Sequence, residues 1–415
     1  MVLKRRKEYL KLINPQSISI FYSGKAPHLS ADSYYPFYVN KNFWYLSGIN
    51  QEDTYLVIVK GDLNYDTFLF TKKPDPLLAL WVGESLSFEE AAKISNIKYE
   101  NIFDISEFEN FVTNLLTSSR RSSFGSIYEL YFDFDRFSFK DLPKENELLA
   151  NDFKDKFPYL KISNSHPSLV NLRKTKDELE IKSIKEAIAI SNLANTHLLN
   201  TLKNALNESD VLAEFLYILN KKNVIPSFDP IVAGGINATI LHYTDNNQPL
   251  NKDDLILLDL GVKYNEYASD ITRTYPLSGK FTKRQKEVYE AVLSVNKDII
   301  NWVKPGITLK EYNDKGKELL IKYAKEINLI KHDDEISKYY YHSLGHPLGL
   351  DVHDVVNPLM PLKEGDVITV EPGLYIKEEG IGVRIEDDLL ITKDGVINLS
   401  KEIIKEVDDI ERLLK

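Results

Sequence analysis

Asp254-Leu-Ile-Leu-Leu-Asp-Leu-Gly-Val-Lys-Tyr-Asn-Glu-Tyr-Ala-Ser-Asp-Ile-Thr-Arg-Thr-Tyr275 is the stretch on which the reading of the fold turns. Its apolar run Leu255 to Leu258 has the pattern of a buried strand, and Asp259 closes that run. Gly261 and Tyr264-Asn265 can turn the chain back, so two strands are expected to pair antiparallel and bring Asp259 and Asp270 together across the ladder. A carboxylate at the end of a buried strand loses its water, which a cation or hydrogen-bond donors must replace. Taken alone, the pair reads more simply as one turn cap and one solvated acid. The rest of the chain alters that reading.

The 415 residues exceed one ordinary core, so two domains are expected. Hydrophobic residues at 43% and charged residues at 27% fit a soluble globular protein. A net charge of -10 repels phosphate backbones, and there is no basic stripe to offset it, so nucleic-acid binding is not expected. No apolar run reaches the ~18 residues of a membrane span, and the basic N-terminal segment runs into a polar, helix-periodic stretch unlike a signal peptide. Cytoplasm is the expected compartment. The absence of cysteine excludes disulfides, thiolate catalysis and cysteine-ligated metal, so any metal must take oxygen and imidazole ligands.

From the N-terminus, a short amphipathic helix over residues 3 to 13 and a strand near Ile18 precede an aromatic-rich block that includes Tyr34-Tyr-Pro-Phe-Tyr. That block is expected to lie mostly in the core. Strands Thr54 to Val59 and Thr67 to Thr71 are joined through Gly61-Asp-Leu-Asn, and helices over 88–94 and 105–116 alternate with short strands at Ser126 to Tyr128 and Leu130 to Asp133. This predicts an α/β domain over residues 1–165 and a second domain over 166–415, with the turn-rich Asn164-Ser-His-Pro-Ser-Leu as the joint. In the second domain helical spacing predicts a long helix from Lys174 and further helices at 209–222, 283–303 and 309–327. Strands are expected at Asn237 to Tyr243, Asp366 to Pro372 and Gly382 to Thr392. The helix-strand order recurs over 174–275 and 283–392, in the manner of a two-fold repeat without residue identity.

Four of the eight histidines, His242, His342, His346 and His353, lie in or after apolar or Gly-rich segments. The block from His342 to Asp354 has no regular zinc-helix spacing, and its glycines permit close backbone approach instead. Glu371 and Glu386 each repeat the pattern of a carboxylate closing an apolar strand. Any one of these acids reads equally as a turn cap. Five such events in one domain are an improbable set of accidents.

The segments Leu241-His-Tyr-Thr-Asp-Asn, Leu258-Asp-Leu-Gly, Ser269-Asp-Ile-Thr-Arg-Thr-Tyr-Pro, Gly345-His-Pro-Leu-Gly-Leu-Asp-Val-His-Asp, Thr369-Val-Glu-Pro-Gly-Leu-Tyr and Gly382-Val-Arg-Ile-Glu-Asp-Asp together resemble the Xaa-Pro aminopeptidase (aminopeptidase P) and prolidase family. The N-terminal half resembles the aminopeptidase P type through Ser30-Ala-Asp-Ser, Phe43-Trp-Tyr-Leu-Ser-Gly and Leu80-Trp-Val-Gly. The resemblance implies a two-domain α/β fold, an N-terminal creatinase-like α/β domain followed by a catalytic α+β pita-bread domain.

It further implies metal ligands Asp259, Asp270, His346, Glu371 and Glu386 holding two divalent ions. Mn²⁺ is the first choice for such an oxygen-rich set, ahead of Co²⁺, Fe²⁺ or Zn²⁺. In the implied reaction a bridging hydroxide attacks the carbonyl before proline, Glu371 relays its proton, and His353 steadies the oxyanion. His242 and His342 line the substrate site, Tyr375 and Arg384 support ligands or touch substrate, and Trp81 and Asp32 match positions that reach a neighbouring subunit's site. A homodimer or homotetramer is therefore expected. Prolidases, which cleave Xaa-Pro dipeptides, carry arginine in the loop after the His-Asp motif to bind the free carboxylate. The loop Val355 to Gly365 has none, which favours longer peptides, with Lys363 as the remaining cation. Rival readings are a metal-free creatine-hydrolysing enzyme and a silent binding module of the same fold. The complete ligand set argues against both.

Overall fold

The computed structural model describes residues 1–117 and 122–415. The chain divides into two compact units, Met1–Leu172 and Arg173–Lys415. The division falls inside the helix His166–Lys174, beyond the expected joint at residue 165.

The first unit is built on a six-stranded mixed sheet in the order Ile102–Asp104, Tyr65–Thr71, Tyr55–Lys60, Ser17–Tyr22, Glu129–Phe132, Lys161–Asn164. The central pairs, Ser17–Tyr22 with Tyr55–Lys60 and Tyr55–Lys60 with Tyr65–Thr71, are antiparallel, and the outer ones are parallel. The core is rich in phenylalanine, including Phe70, Phe108, Phe132 and Phe153. The aromatic block behaves otherwise than expected. Tyr34, Tyr35 and Tyr38 are all more than half exposed, whereas Phe43, Trp44 and Tyr45 are buried because they sit on a helix, Lys41–Ser47, capped by Asn40. The strand expected at Ser126 to Tyr128 does not form; pairing begins only at Glu129.

In the second unit, two helix pairs each accompany a three-stranded antiparallel sheet. Glu178–Thr201 packs on Glu208–Lys221, and Lys283–Trp302 packs on Leu309–Glu326. All four helices open with a reciprocal capping box, Asp177 with Glu180, Asn207 with Asp210, Thr282 with Gln285 and Thr308 with Glu311, so their starts are fixed locally. One sheet runs Ile231–Gly234, Leu255–Leu260, Ile271–Pro276 and the other Val367–Val370, Asp387–Ile391, Val396–Asn398. A smaller three-stranded sheet, Tyr267–Ala268, Val262–Tyr264, Ile225–Pro226, and a hairpin, Gly373–Ile376 with Ile381–Arg384, make up the rest. Two expectations need correction. Asn237 to Tyr243 is no strand: Gly235, at φ 52°, starts a short 3-10 helix, Gly235–Thr239, and a loop follows. The single strand expected from Gly382 to Thr392 is two, broken at Ile385-Glu386.

Candidate metal centre

Strand pairing does what the opening stretch predicted. Leu255–Leu260 and Ile271–Pro276 are antiparallel with Asp259 opposite Thr272 and Leu260 opposite Ile271, which leaves Asp270 one step beyond the ladder on the side of Asp259. The reversal passes through Val262–Tyr264 and Tyr267–Ala268, linked by Asn265 and Glu266 at φ 50° and 65°, the left-handed geometry of a tight hairpin. The other three candidate ligands are tied to neighbours by their main chains. The His346 carbonyl accepts the Thr369 N–H at 2.8 Å, and the His346 N–H donates to Thr369 Oγ1 at 3.1 Å. Glu371 N–H donates to the Leu344 carbonyl at 2.8 Å, and Glu386 N–H to the Thr272 carbonyl at 3.0 Å. The far side of the Ile385-Glu386 break is clamped by buried Arg273, which donates to the Glu386 carbonyl and, at 2.7 Å, to Asp387 Oδ1.

These ties gather the side chains. Ligand atoms of Asp270, His346 and Glu386 lie within 4.8 Å of one another. His346 Nε2 is 3.4 Å from Asp270 Oδ2 and 3.6 Å from Glu371 Oε1. His346 Nδ1 lies 3.0 Å from the Pro347 carbonyl, an acceptor only, so Nδ1 carries the proton and Nε2 offers its lone pair to the cluster. Asp259 lines the same cavity, but its Oδ2 takes a hydrogen bond from Arg384 Nη2 at 2.6 Å. That leaves Asp259 Oδ1, like Glu386 Oε1, buried without a partner. Orphaned carboxylate oxygens beside an imidazole lone pair are what divalent ions would satisfy, so the donor set fits them.

The electrostatics carry the same message. Burial first, and Glu386 and Asp259 next, push the Asp270 carboxyl well above the ordinary range. Glu371 is pushed well up by burial and by Glu386, and Glu386 is raised to about 7 by burial and then Asp259. Four acids share too little positive charge. His353, whose ring centroid is 4.1 Å from that of His346, is lowered to about 4 by burial and then by His346.

His342 is neutral too, lowered to about 4 by burial and then Arg384. Its Nδ1 donates to the Ser343 carbonyl at 2.7 Å, so its Nε2 accepts from the Tyr375 hydroxyl at 2.9 Å. Arg384 joins these parts, donating from Nη1 to Tyr375 at 3.0 Å and from Nε to Thr272 Oγ1 at 3.1 Å. His242, His342, His346 and His353 all line one cavity of about 320 Å³ with Asp259, Asp270, Glu371, Arg384 and Glu386. A second chamber of about 340 Å³ shares His242, Asp259, Asp270 and His353 and extends along Phe228, Asp229 and Val352. Tyr375 is buried behind His342. Asp32 and Trp81 belong to the first unit, where both are exposed. Lys363 is exposed and does not line the cavity.

Sequence reasoning missed two residues that complete the cluster. Thr272 Oγ1 donates to Glu386 Oε2 at 2.7 Å while accepting from Arg384. Asp388 Oδ2 accepts the Asp270 N–H at 3.2 Å. The signal for Thr272 was there: two residues after Asp270 in a strand, it shares the same face.

A cavity walled by acids and a lone-pair imidazole on a rigid frame defines the class: a metallohydrolase. The comparisons make that specific. The family model for metallopeptidase family M24 matches residues 182–393, and the one for the aminopeptidase P N-terminal domain matches 2–124. The Xaa-Pro aminopeptidase of Haemophilus influenzae is 33% identical, over 99% of this chain and 96% of its own. A solved structure assigned as an aminopeptidase P from Bacillus anthracis superposes with a TM-score of 0.96 at 38% identity, covering 100% of this chain and 97% of that one. Escherichia coli aminopeptidase P with the inhibitor Pro-Leu gives 0.89 at 28%, covering 100% and 97%. The chain belongs to metallopeptidase family M24 and carries the aminopeptidase P type of N-terminal domain.

Proposed function

We propose that this protein is a metal-dependent Xaa-Pro aminopeptidase that releases the first residue from peptides with proline in second place. The observation that carries the reading is the convergence of Asp259, Asp270, His346, Glu371 and Glu386 on one cavity in which burial keeps His342 and His353 neutral. Asp259, Asp270, His346, Glu371 and Glu386 would hold two divalent ions, Mn²⁺ first among them. Such ions supply Lewis acidity, lowering the pKa of a water and polarising a carbonyl oxygen.

The chain's own residues do the rest. Glu371 takes a proton from the attacking water and passes it to the leaving prolyl nitrogen. His353, uncharged at neutral pH, donates a hydrogen bond to the carbonyl oxygen as charge builds there. Both nitrogens of His342 are already engaged, so it presents ring surface without a free donor, which suits an apolar prolyl ring. An Xaa-Pro bond has no N–H, and this wall asks for none. Tyr375 and Arg384 hold His342 and Asp259 in place, whereas Lys363 does not face the cavity, which argues against a dipeptide carboxylate partner there.

Trp81 is 87% exposed on a helix, Pro76–Val82, that buries none of its apolar side chains, and Asp32 sits in an exposed hairpin. Such a surface suits contact with a second copy, as a dimer or tetramer in the cytoplasm. No helix among the described residues is long and apolar enough to cross a membrane.

The test is hydrolysis by Mn²⁺-loaded protein of an Xaa-Pro-Xaa tripeptide, an Xaa-Pro dipeptide and an Xaa-Ala-Xaa control. The proline tripeptide should be cleaved fastest, by at least about tenfold. Preference for the dipeptide would make the enzyme a prolidase, and equal cleavage of the alanine peptide would remove the proline specificity.

A further inference from the structure

Glu208 is a fully buried carboxylate at the first position of the helix Glu208–Lys221. Its two oxygens accept four hydrogen bonds. Oε1 takes the Gly234 N–H and Asn237 Nδ2, both at 2.9 Å; Oε2 takes the Tyr243 hydroxyl at 2.7 Å and the Gln248 N–H at 2.9 Å. All four donors are neutral, and together they saturate the carboxylate's lone pairs, which is what lets it stay buried without a cation. The positive end of its own helix adds to that support.

The four donors share a second property: they span one segment, from the end of the strand Ile231–Gly234, through the 3-10 helix Gly235–Thr239, to the loop that follows. In that loop Tyr243 is buried toward Glu208, while its neighbour His242 faces both chambers of the cavity. Asn246, at φ 47°, fixes the same loop from the strand side, accepting the Val232 N–H at 2.7 Å and donating to the Pro230 carbonyl at 2.8 Å. Among the described residues no hydrogen bond holds the His242 imidazole itself. Its aim is therefore set by the backbone that carries it.

The geometry points to Glu208 as the positioning residue for His242: it fixes the 234–248 segment so that the imidazole is presented to substrate beside Asp259 and Asp270. This rests on the proposed peptidase reading for what His242 meets, but not for the pinning. Glu208 touches no reacting atom. A misplacement of about 1 Å in such a group is enough to cost ~10²-fold in rate.

Glu208→Gln keeps the shape but turns one oxygen into an NH₂ facing a backbone N–H, so either the Gly234 or the Gln248 amide loses its acceptor. We expect kcat/KM on an Xaa-Pro-Xaa peptide to fall about tenfold or more, with bound metal unchanged. Placed on His242→Ala, the same substitution should cost less than about twofold further, because the group it positions is gone; independent, multiplying losses would overturn the proposal. Hydrogen exchange judges the pinning without catalysis. The amide of Gly234 or that of Gln248, whichever faces the new NH₂, should exchange faster in Glu208→Gln, with the strand Leu255–Leu260 unaltered, and unchanged protection at both amides would overturn it even if the chain cleaved no proline peptide. Should Glu208→Gln not fold, Tyr243→Phe removes one of the four donors and is put through the same cycle and exchange experiment, with the same outcomes deciding.

Discussion

Arg384 shows how much of the site rests on one side chain. Its guanidinium reaches Asp259, Tyr375 and Thr272 at once, and through the last two it fixes His342 and Glu386. Replacing it with methionine leaves Asp259 buried beside three other acids with no counter-charge, and the expected cost is ~3–5 kcal/mol of stability. Metal affinity should fall ~10–100-fold, as it does when partners that orient ligands are removed. Arg384→Lys should recover little of the metal affinity, because one ammonium nitrogen cannot reach the three separated acceptors that Nε, Nη1 and Nη2 meet individually. Urea unfolding and metal titration of the two variants check this, and full affinity in Arg384→Met would mean that Asp259 orients itself. In the sequence Arg384, two residues before Glu386, was legible through the family resemblance as a residue that supports a ligand or touches substrate. Its reach to Asp259, 125 positions away, depends on strand packing that no local pattern displays.

At the scale of elements, close backbone approach is the device that repeats. A Cβ on Gly345 would stand 2.2 Å from the Thr369 carbonyl oxygen, so alanine there must push His346 away from the strand that supports it. Gly345→Ala is expected to lose ~1–3 kcal/mol and most of its metal; a melting curve and metal analysis test both, and normal metal content would show that the strand moves instead of the ligand. The helices were readable because their capping boxes and apolar spacing are local. Asn237 to Tyr243 was not, since its β-branched and aromatic residues Thr239, Ile240 and Tyr243 imitate a strand while Asn237 and Tyr243 are claimed as donors by Glu208 on a separate helix. Tyr34, Tyr35 and Tyr38 misled in the opposite way: aromatic density said core, but they lie on and after a two-strand hairpin that nothing in the described chain covers fully.

For the whole molecule the acid cluster sets the response to pH and to chelation. Without metal, the Asp270, Glu371 and Glu386 carboxyls bind protons more tightly folded than unfolded. These carboxyls therefore lower stability as pH rises from the ordinary value of 4.5 through the raised value of about 7 for Glu386. Asp387, held at about 2 against the cost of burial by Arg273 and Lys405, works in the opposite sense only below that window, whereas His342 and His353, lowered to about 4 from an ordinary 6.5, oppose the carboxyls up to about pH 6.5. Metal-free protein should melt lower at pH 8 than at pH 6.5, an interval in which the carboxyls still lose protons while His342 and His353 are already largely neutral in both states. Mn²⁺ should raise the melting temperature more at the higher pH. A flat melting profile, with metal removal verified, would count against the ligand set.

The proton on His346 is held by the carbonyl of Pro347, part of the polypeptide backbone. No single codon change deletes a carbonyl, so the tautomer of this histidine is shielded from point mutation in a way that Asp259, dependent on a replaceable arginine, is not. Lineages that drift away from activity should therefore more often lose the arginine's support of Asp259 while the histidine remains correctly posed, leaving a vestigial half-site as the genetic trace of a once active chain.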